Sequence, residues 1–253
     1  MSEAPSELLW LDEADSTHML LKSPAYAHFP ELTMLLARRQ TAGRGQRGNS
    51  WESEPLKNLT FSMAAIPQGV TPAEQFVISE GVALAITDVL ADYGIEASVK
   101  WPNDIYVADR KICGILIDHS LQGSSITRSI ISAGINVNQT RFLSDAPNPV
   151  SMAMLTGCDH QLEPLAIRLR GSILQALETM RTPAGRHAIH TRFLSSLYRH
   201  DGAPHKFFDH RRQETIEAII TDVAPTGILT LQPLPAAGCA PRSYAFKEVS
   251  FII

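Results

Sequence analysis

The chain has 253 residues, 44% of them hydrophobic and 19% charged, with a formal net charge of −4. This composition supports one good core plus a small second domain and excludes a disordered chain, while the acidic balance excludes a global basic field for nucleic acid or an anionic membrane. No apolar run approaches the roughly 18 residues of a membrane span, and the opening stretch MSEAPSELLWLDEAD lacks the apolar segment of a secretory signal, so a soluble cytoplasmic protein is expected.

Leu8 to Leu11 predicts a short strand. Asp15-Ser16-Thr17 then predicts a helix N-cap for His18 to Lys22, and a hydroxyl pair at such a turn can also meet a small polar ligand. Leu32 to Arg38 is a strand feeding the loop Gln40 to Trp51, QTAGRGQRGNSW, and Asn58 to Ala65 is the strand leaving it, which puts the loop at the end or edge of a sheet. Gly43, Gly45 and Gly48 let the backbone turn through positive φ and approach a ligand closely, while Arg44 and Arg47 add guanidinium forks. Together they are suited to holding an anion.

Familiar phosphate loops do not fit these letters. Gly43-x-Gly45-x-x-Gly48 matches the dinucleotide fingerprint, but the Asn-Ser-Trp-Glu-Ser-Glu-Pro that follows cannot open a helix, and no acidic residue stands at the ribose position. A P-loop would need lysine where Asn49 stands, and the protein-kinase motifs and the G-x-S-x-G of serine hydrolases are absent.

Thr71-Pro72-Ala73-Glu74 predicts a capping box that opens an amphipathic helix to Tyr93, with Gly94 as its stop and Ile78, Val82, Ile86, Val89 and Leu90 facing a sheet. The stretch Ser98 to Asp118, SVKWPNDIYVADRKICGILID, then predicts a hairpin from Ile105-Tyr106-Val107 and Ile112 to Ile117. Ile126 to Val137 supplies a third antiparallel strand after the Gln122-Gly123-Ser124 turn. Lys100 and Lys111 lie at strand ends. A hairpin lysine is ordinarily a solvated charge, but Trp101, Asn103, Asp104 and Gly114 beside these two are not surface filler. Asn136 and Asn138 close the third strand with further amides.

Glu163 to Arg181 and Ala184 to Arg199 read as packing helices. From about His205 the pattern turns to short alternating segments, Thr215 to Asp222, Ile228 to Gln232 and Tyr244 to Phe251, with turns at Pro225-Thr226-Gly227 and Pro235 to Gly238, a small all-β module. Two domains are expected, residues 1–203 and 204–253. Cys113, Cys158 and Cys239 are scattered without C-x-x-C spacing, as suits a reducing compartment. His187 and His190, the close pair on an expected helix, lack the glutamate and third ligand of a zinc site, and no protein metal site is expected.

The loop GRGQRGNSW, the KWPND at 100–104, the RKICGILI at 110–117 and the GINV at 134–137 occur together and in that order. The combination resembles the biotin protein ligase family, the biotin–[acetyl-CoA carboxylase] ligases. The likeness extends over essentially the whole chain, from Asp-Ser-Thr at 15–17 to the β-rich tail. It implies an α+β fold, a mixed or antiparallel sheet flanked by helices, with a small SH3-like C-terminal β-barrel. It also implies a two-step reaction. Biotin and ATP, with Mg²⁺, give biotinyl-5′-AMP and pyrophosphate, and a lysine of a biotin carboxyl carrier protein then takes the biotinyl group.

By this similarity Lys111 bridges the biotin carboxylate and the α-phosphate, Arg44 and Arg47 close over the phosphates, and Asp104 orients the incoming amine or a neighbouring lysine. Ser16, Thr17, His18, Gln40, Gly43 and Gly114 join Lys111 around biotin. Gly45, Gln46, Gly48, Trp51, Lys100, Asn103 and Asn136 join Arg44 on the ATP and adenylate side. The family often has arginine where Gln46 stands and asparagine where His18 stands. Because the likeness to the catalytic portion begins within the first ten residues, no DNA-binding role is expected, whereas exposed strand edges make a homodimer plausible. A lipoate or octanoate ligase or transferase of the same fold, and a non-catalytic biotin-binding regulator, remain as alternatives.

Overall fold

The computed structural model describes residues 7–144, 148–235 and 238–253; the side chain of Arg47 lies outside the described residues, as does part of the turn expected between Pro235 and Gly238. The chain opens with β1 (Leu8–Leu11), α1 (Thr17–Lys22) capped by Ser16, β2 (Met34–Ala37), β3 (Leu59–Ala65) and α2 (Phe76–Ala91). It continues through β4 (Ser98–Lys100), β5 (Asp104–Val107) and the long hairpin of β6 (Arg110–Gln122) and β7 (Ser125–Ile135). Helices α3 (Met152–Thr156), α4 (Leu162–Thr179) and α5 (Pro183–Ser195) follow. The chain then enters β8 (His205–Asp209), β9 (Glu214–Val223), β10 (Leu229–Pro233), β11 (Arg242–Tyr244) and β12 (Val249–Phe251).

The first seven strands form one mixed sheet in the order β1-β2-β3-β7-β6-β5-β4, with β1 and β2 parallel and the remaining neighbours antiparallel. Side chains alternate between the faces of a strand, and this alternation separates core from site. On β3 and β7 the residues Leu59, Phe61, Met63, Ile131, Ala133 and Ile135 enter the main core with α2. Their neighbours Thr60, Ser62, Ser132 and Gly134 face the other side, where α1 packs on β3 and β7 and Leu21, Leu35 and Ile130 make a small second cluster. A slip of one residue in this register would exchange core for cavity.

The expected helix from Thr71 is present, with its capping box, but it opens as a 3₁₀ turn over Pro72–Glu74 before the α-helix begins at Phe76. It is buried almost all round, because α4 and α5 cover the face turned from the sheet. Its one buried carboxylate, Glu80, is met by His190 Nδ1 at 2.8 Å.

The expected strand from Tyr244 to Phe251 is instead two, β11 and β12, separated by a turn in which Lys247 takes φ +71° and Ala245 N donates to Glu248. Strand β8 extends the module at its start. The five strands pair antiparallel in the order β11-β10-β9-β8-β12, compatible with the SH3-like module expected. Asp209, fully buried there, accepts from Tyr244 Oη at 2.8 Å and from the backbone N–H groups of Arg211 and Arg212. This sheet docks on the first through Trp101, whose indole Nε1 donates to Gly227 O at 2.9 Å and whose ring meets Phe246 edge-on. Among the described residues no helix is long and apolar enough to cross a membrane.

Candidate active site

A cavity of about 900 Å³ opens on the α1 side of the seven-stranded sheet, where the β2–β3 loop, the β4–β7 meander and the C-terminal sheet meet. The loop and Lys111, far apart in sequence, share it: Arg44, Gly45, Gln46, Gly48 and Trp51 line it from one side and Lys100, Asn103, Asp104 and Lys111 from another.

Lys111 stands near the start of β6, where the bulged β5–β6 pairing carries it beside Asp104. Its Nζ lies 2.7 Å from Asp104 Oδ1, with both side chains about three-quarters buried. A Cβ on Gly114 beside it would touch Lys111 Nζ only in ordinary contact at 3.4 Å but would press on the Trp51 ring at 3.0 Å. Asn136 fixes the strand end beneath. Its backbone N–H donates to Ile112 O, and its amide donates to Val150 O at 3.1 Å and to Lys111 O at 3.5 Å. Asn103 is also committed to the strand, donating to Ile115 O from its side chain while its carbonyl accepts Ile115 N. Lys100 is clasped between Tyr106 and Phe251, its ammonium 5.0 and 4.9 Å from the ring centroids. Burial pushes that ammonium below the ordinary lysine range; nearby Asp104 opposes the shift, and Lys111 and Arg199 add to it.

Trp51, which ends the glycine loop, lies on bare backbone. Gly114 and Gly134 are direct partners across β6 and β7, and a Cβ on Gly134 would stand 2.4 Å from the indole nitrogen. Lys111 Nζ sits 5.6 Å from the Trp51 ring centroid, within cation–π range. Of the loop glycines only Gly48 uses positive φ, at +89°; Gly45 is extended, and Gly43 is needed for close approach, because a Cβ there would meet Trp51 O at 2.4 Å. Gly43 is buried behind the loop and does not line the cavity. Arg44 is exposed at the mouth, bridged to Ser50 by its backbone. Two buried polar atoms have no hydrogen-bond partner among the described residues, Gln46 Oε1 and Trp51 Nε1.

The inner end is polar and closed. Gln40 Oε1 accepts the Thr17 N–H at 2.8 Å, tying the α1 N-terminus to the loop, and Ser16, Thr17 and His18 are all nearly fully buried. Thr17 Oγ1 lies 2.8 Å from Ser62 Oγ, which lies 2.7 Å from Ser132 Oγ, itself 2.8 Å from His18 Nδ1. Burial pushes His18 below the ordinary histidine range, against the hydrogen bond and charge of Asp118.

Several residues of the site escaped the sequence reading. Ser132, which lines the cavity, and Ser62, buried behind it, are polar positions in otherwise apolar strands, a signal that was present. Glu52 draws the 139–144 segment over the loop by accepting from the Leu143 and Ser144 N–H groups and from Gln139 Nε2. Phe246 to Phe251 reach the cavity only through docking of the second sheet, which no local pattern announces.

Comparison with known proteins agrees with this architecture. The model of the Biotin/lipoate A/B protein ligase family matches residues 11–136. The bifunctional ligase/repressor BirA of Bacillus spizizenii is 34% identical over 135 residues, which are 52% of this chain and 41% of that protein. The biotin–[acetyl-CoA-carboxylase] ligase of Paracoccus denitrificans is 34% identical over 137 residues, 51% of this chain and 55% of that protein. The matched stretch thus spans about half the length of these curated relatives. Among solved structures, the biotin protein ligase from Aquifex aeolicus in complex with biotin and ATP superposes with a TM-score of 0.78 at 24% identity, covering 96% of this chain and 97% of its own, a likeness of fold. The matched region holds the glycine loop, Lys111 and the paired glycines under Trp51, and on that footing the chain belongs to the biotin/lipoate A/B protein ligase family.

Proposed function

We propose that the protein is a biotin protein ligase, which joins biotin to ATP as biotinyl-5′-AMP and passes the biotinyl group to a lysine of a carboxyl carrier protein. The observation that carries this reading is the meeting of Lys111, held by Asp104, with the Arg44 loop in one cavity. A carboxylate that attacks a phosphate must approach a like charge, and fixed cations between them lower that barrier. In the first step a biotin carboxylate oxygen bonds to the α-phosphorus of ATP, the bond to the β-phosphate bridge breaks, and pyrophosphate leaves. Lys111 stands between the two anions, and Arg44, with Arg47, covers the phosphates.

Trp51 offers its ring to the adenylate side, where Gly45, Gln46, Gly48, Lys100, Asn103 and Asn136 complete the wall. Ser16, Thr17, His18, Gln40 and Gly114 enclose biotin, with Gly43 closing the loop behind. In the second step the acceptor amine attacks the anhydride carbonyl and AMP departs. Asp104 is placed to orient that amine and take up its proton. Among the described residues no three His, Cys, Asp or Glu side chains group as a metal cage. Magnesium arriving with ATP would therefore be held chiefly by the phosphates, with Glu52 and Asp104 the nearby carboxylates. A cytoplasmic location fits the unpaired, scattered cysteines.

The test is exchange of labelled pyrophosphate into ATP, run with biotin, lipoate or neither. Biotin-dependent exchange is expected. Exchange driven by lipoate instead would move the assignment to the lipoate branch of the family, and biotin binding without exchange would favour a non-catalytic regulator.

A further inference from the structure

We infer that His18 and Asp118 are a positioning pair that fixes the direction of a buried hydroxyl relay, so that oxygen lone pairs face the cavity and select a ligand head bearing N–H donors. The inference rests on the biotin reading above, whose cyclic urea is such a head. The geometry determines the sense of the relay. Asp118 Oδ2 lies 3.1 Å from His18 Nε2 and is also bonded by Lys22. A carboxylate only accepts, so Nε2 carries the hydrogen and Nδ1 of the neutral ring is an acceptor. Ser132 must then donate to Nδ1, Ser62 to Ser132, and Thr17 to Ser62. The single Thr17 proton then goes to the nearer acceptor, Ser62 Oγ at 2.8 Å, rather than to Gln40 Oε1 at 3.2 Å, and the Thr17 Oγ1 lone pairs are left for the ligand.

Protonating His18 reverses the sequence. Nδ1–H would donate to Ser132, Ser132 to Ser62, Ser62 to Thr17, and Thr17 to Gln40 Oε1, which stands 3.2 Å away and ready to accept. Thr17 would lose one free lone pair, and an imidazolium would stand in the cavity wall, repelling N–H donors.

The proton has a route that avoids the cavity. Asp118 opens, on the α1 side of the sheet, into a separate recess of about 230 Å³ shared with Lys22, His119 and Arg128. These four groups, on α1, β6 and β7, are the titratable and charged neighbours of His18 there. On the cavity side the charged groups are Arg44, Glu52, Lys100, Asp104, Lys111 and Lys247.

Two measurements on the folded protein test the inference. Nitrogen-edited NMR of the wild-type imidazole at about pH 7.5 should show the neutral Nε2–H tautomer for His18; an Nδ1–H tautomer or an imidazolium would overturn the relay, with or without ligand. Calorimetric titration with biotin should show affinity falling at least about threefold between about pH 8 and about pH 5.5 in the wild type, roughly the worth of one hydrogen bond. His18→Asn, which keeps an acceptor near Nδ1 but cannot take a proton, should flatten that dependence. A flat wild-type profile, or a slope that survives in His18→Asn, would overturn the inference. Failure of biotin to bind at any pH, with the Nε2–H tautomer present, would sink the biotin reading and leave the relay standing.

Discussion

On the cavity wall made by α1, β5, β6 and β7 the polar side chains already have partners: Lys111 on Asp104, Asn103 on the Ile115 backbone, Asn136 on Val150, His18 between Ser132 and Asp118. On the glycine loop facing it, Arg44 is exposed, and the buried Gln46 Oε1 and Trp51 Nε1 have no hydrogen-bond partner among the described residues. The loop's own order comes from a few backbone bonds, Gly45 N to Asn49 O at 2.7 Å and Trp51 N to Gly43 O at 3.0 Å. The contrast suggests a division of labour, a preorganised half that positions one anion and a half whose contacts are completed by the ligands. Preorganised charge needs no rearrangement at the moment of reaction, whereas a loop that closes on its ligand shields a reactive anhydride from water.

The sharpest way to break this contrast is to remove the central cation. Lys111→Ala should lower biotin-dependent pyrophosphate exchange by about 10²–10³, whereas the thermal transition should fall only as far as leaving the three-quarters-buried Asp104 carboxylate without its partner requires. Next in size is Gly134→Ala, whose methyl would occupy the place of the indole. It should raise the KM for ATP about thirtyfold by displacing Trp51, with a shift in tryptophan fluorescence. Unchanged KM and emission would mean that the ring has no fixed seat. Arg44→Ala, at the solvent-exposed mouth, should cost about tenfold in exchange and lose part of that effect at high salt, because exposed charges are screened.

The smallest effect is a control in the helical layer. Burial lifts Glu80 above the ordinary carboxylate range, with His190 opposing. A raised carboxyl value means that the native state holds the proton more tightly than the unfolded chain. Its stabilising contribution is present below the ordinary carboxylate range and is lost as pH rises through the folded value. Glu80→Gln should therefore gain about 1 kcal/mol of stability near about pH 8 and almost nothing near about pH 4, read by urea denaturation, with pyrophosphate exchange unaltered. Loss of exchange would show that the helical layer and the cavity are not separable.

The same contrast governs what could be read from sequence. Local chemistry was legible: the Ser16 cap, the glycine loop between two adjacent strands, and the hairpin that carries Lys111. Gly114 and Gly134 stood in quoted motifs, but their pairing under Trp51 depends on the β6–β7 register, which no single motif contains. Glycine in the loop suggested positive φ, yet only Gly48 needed it, because close approach of backbone to Trp51 was the demand at Gly43. The C-terminal module was visible as alternating segments, but its Phe251 clasp on Lys100 comes from docking of one sheet on another, a tertiary event.

The most direct test is hydrogen–deuterium exchange of the amides of residues 43–51 and of β6 and β7, measured without ligand, with biotin, with ATP and with both. Slowing confined to the loop, and greatest with both substrates, is the expected result. Equal protection of loop and strands in every state, or protection that appears on the strands and not on the loop, would contradict the division between a prebuilt wall and a ligand-completed one.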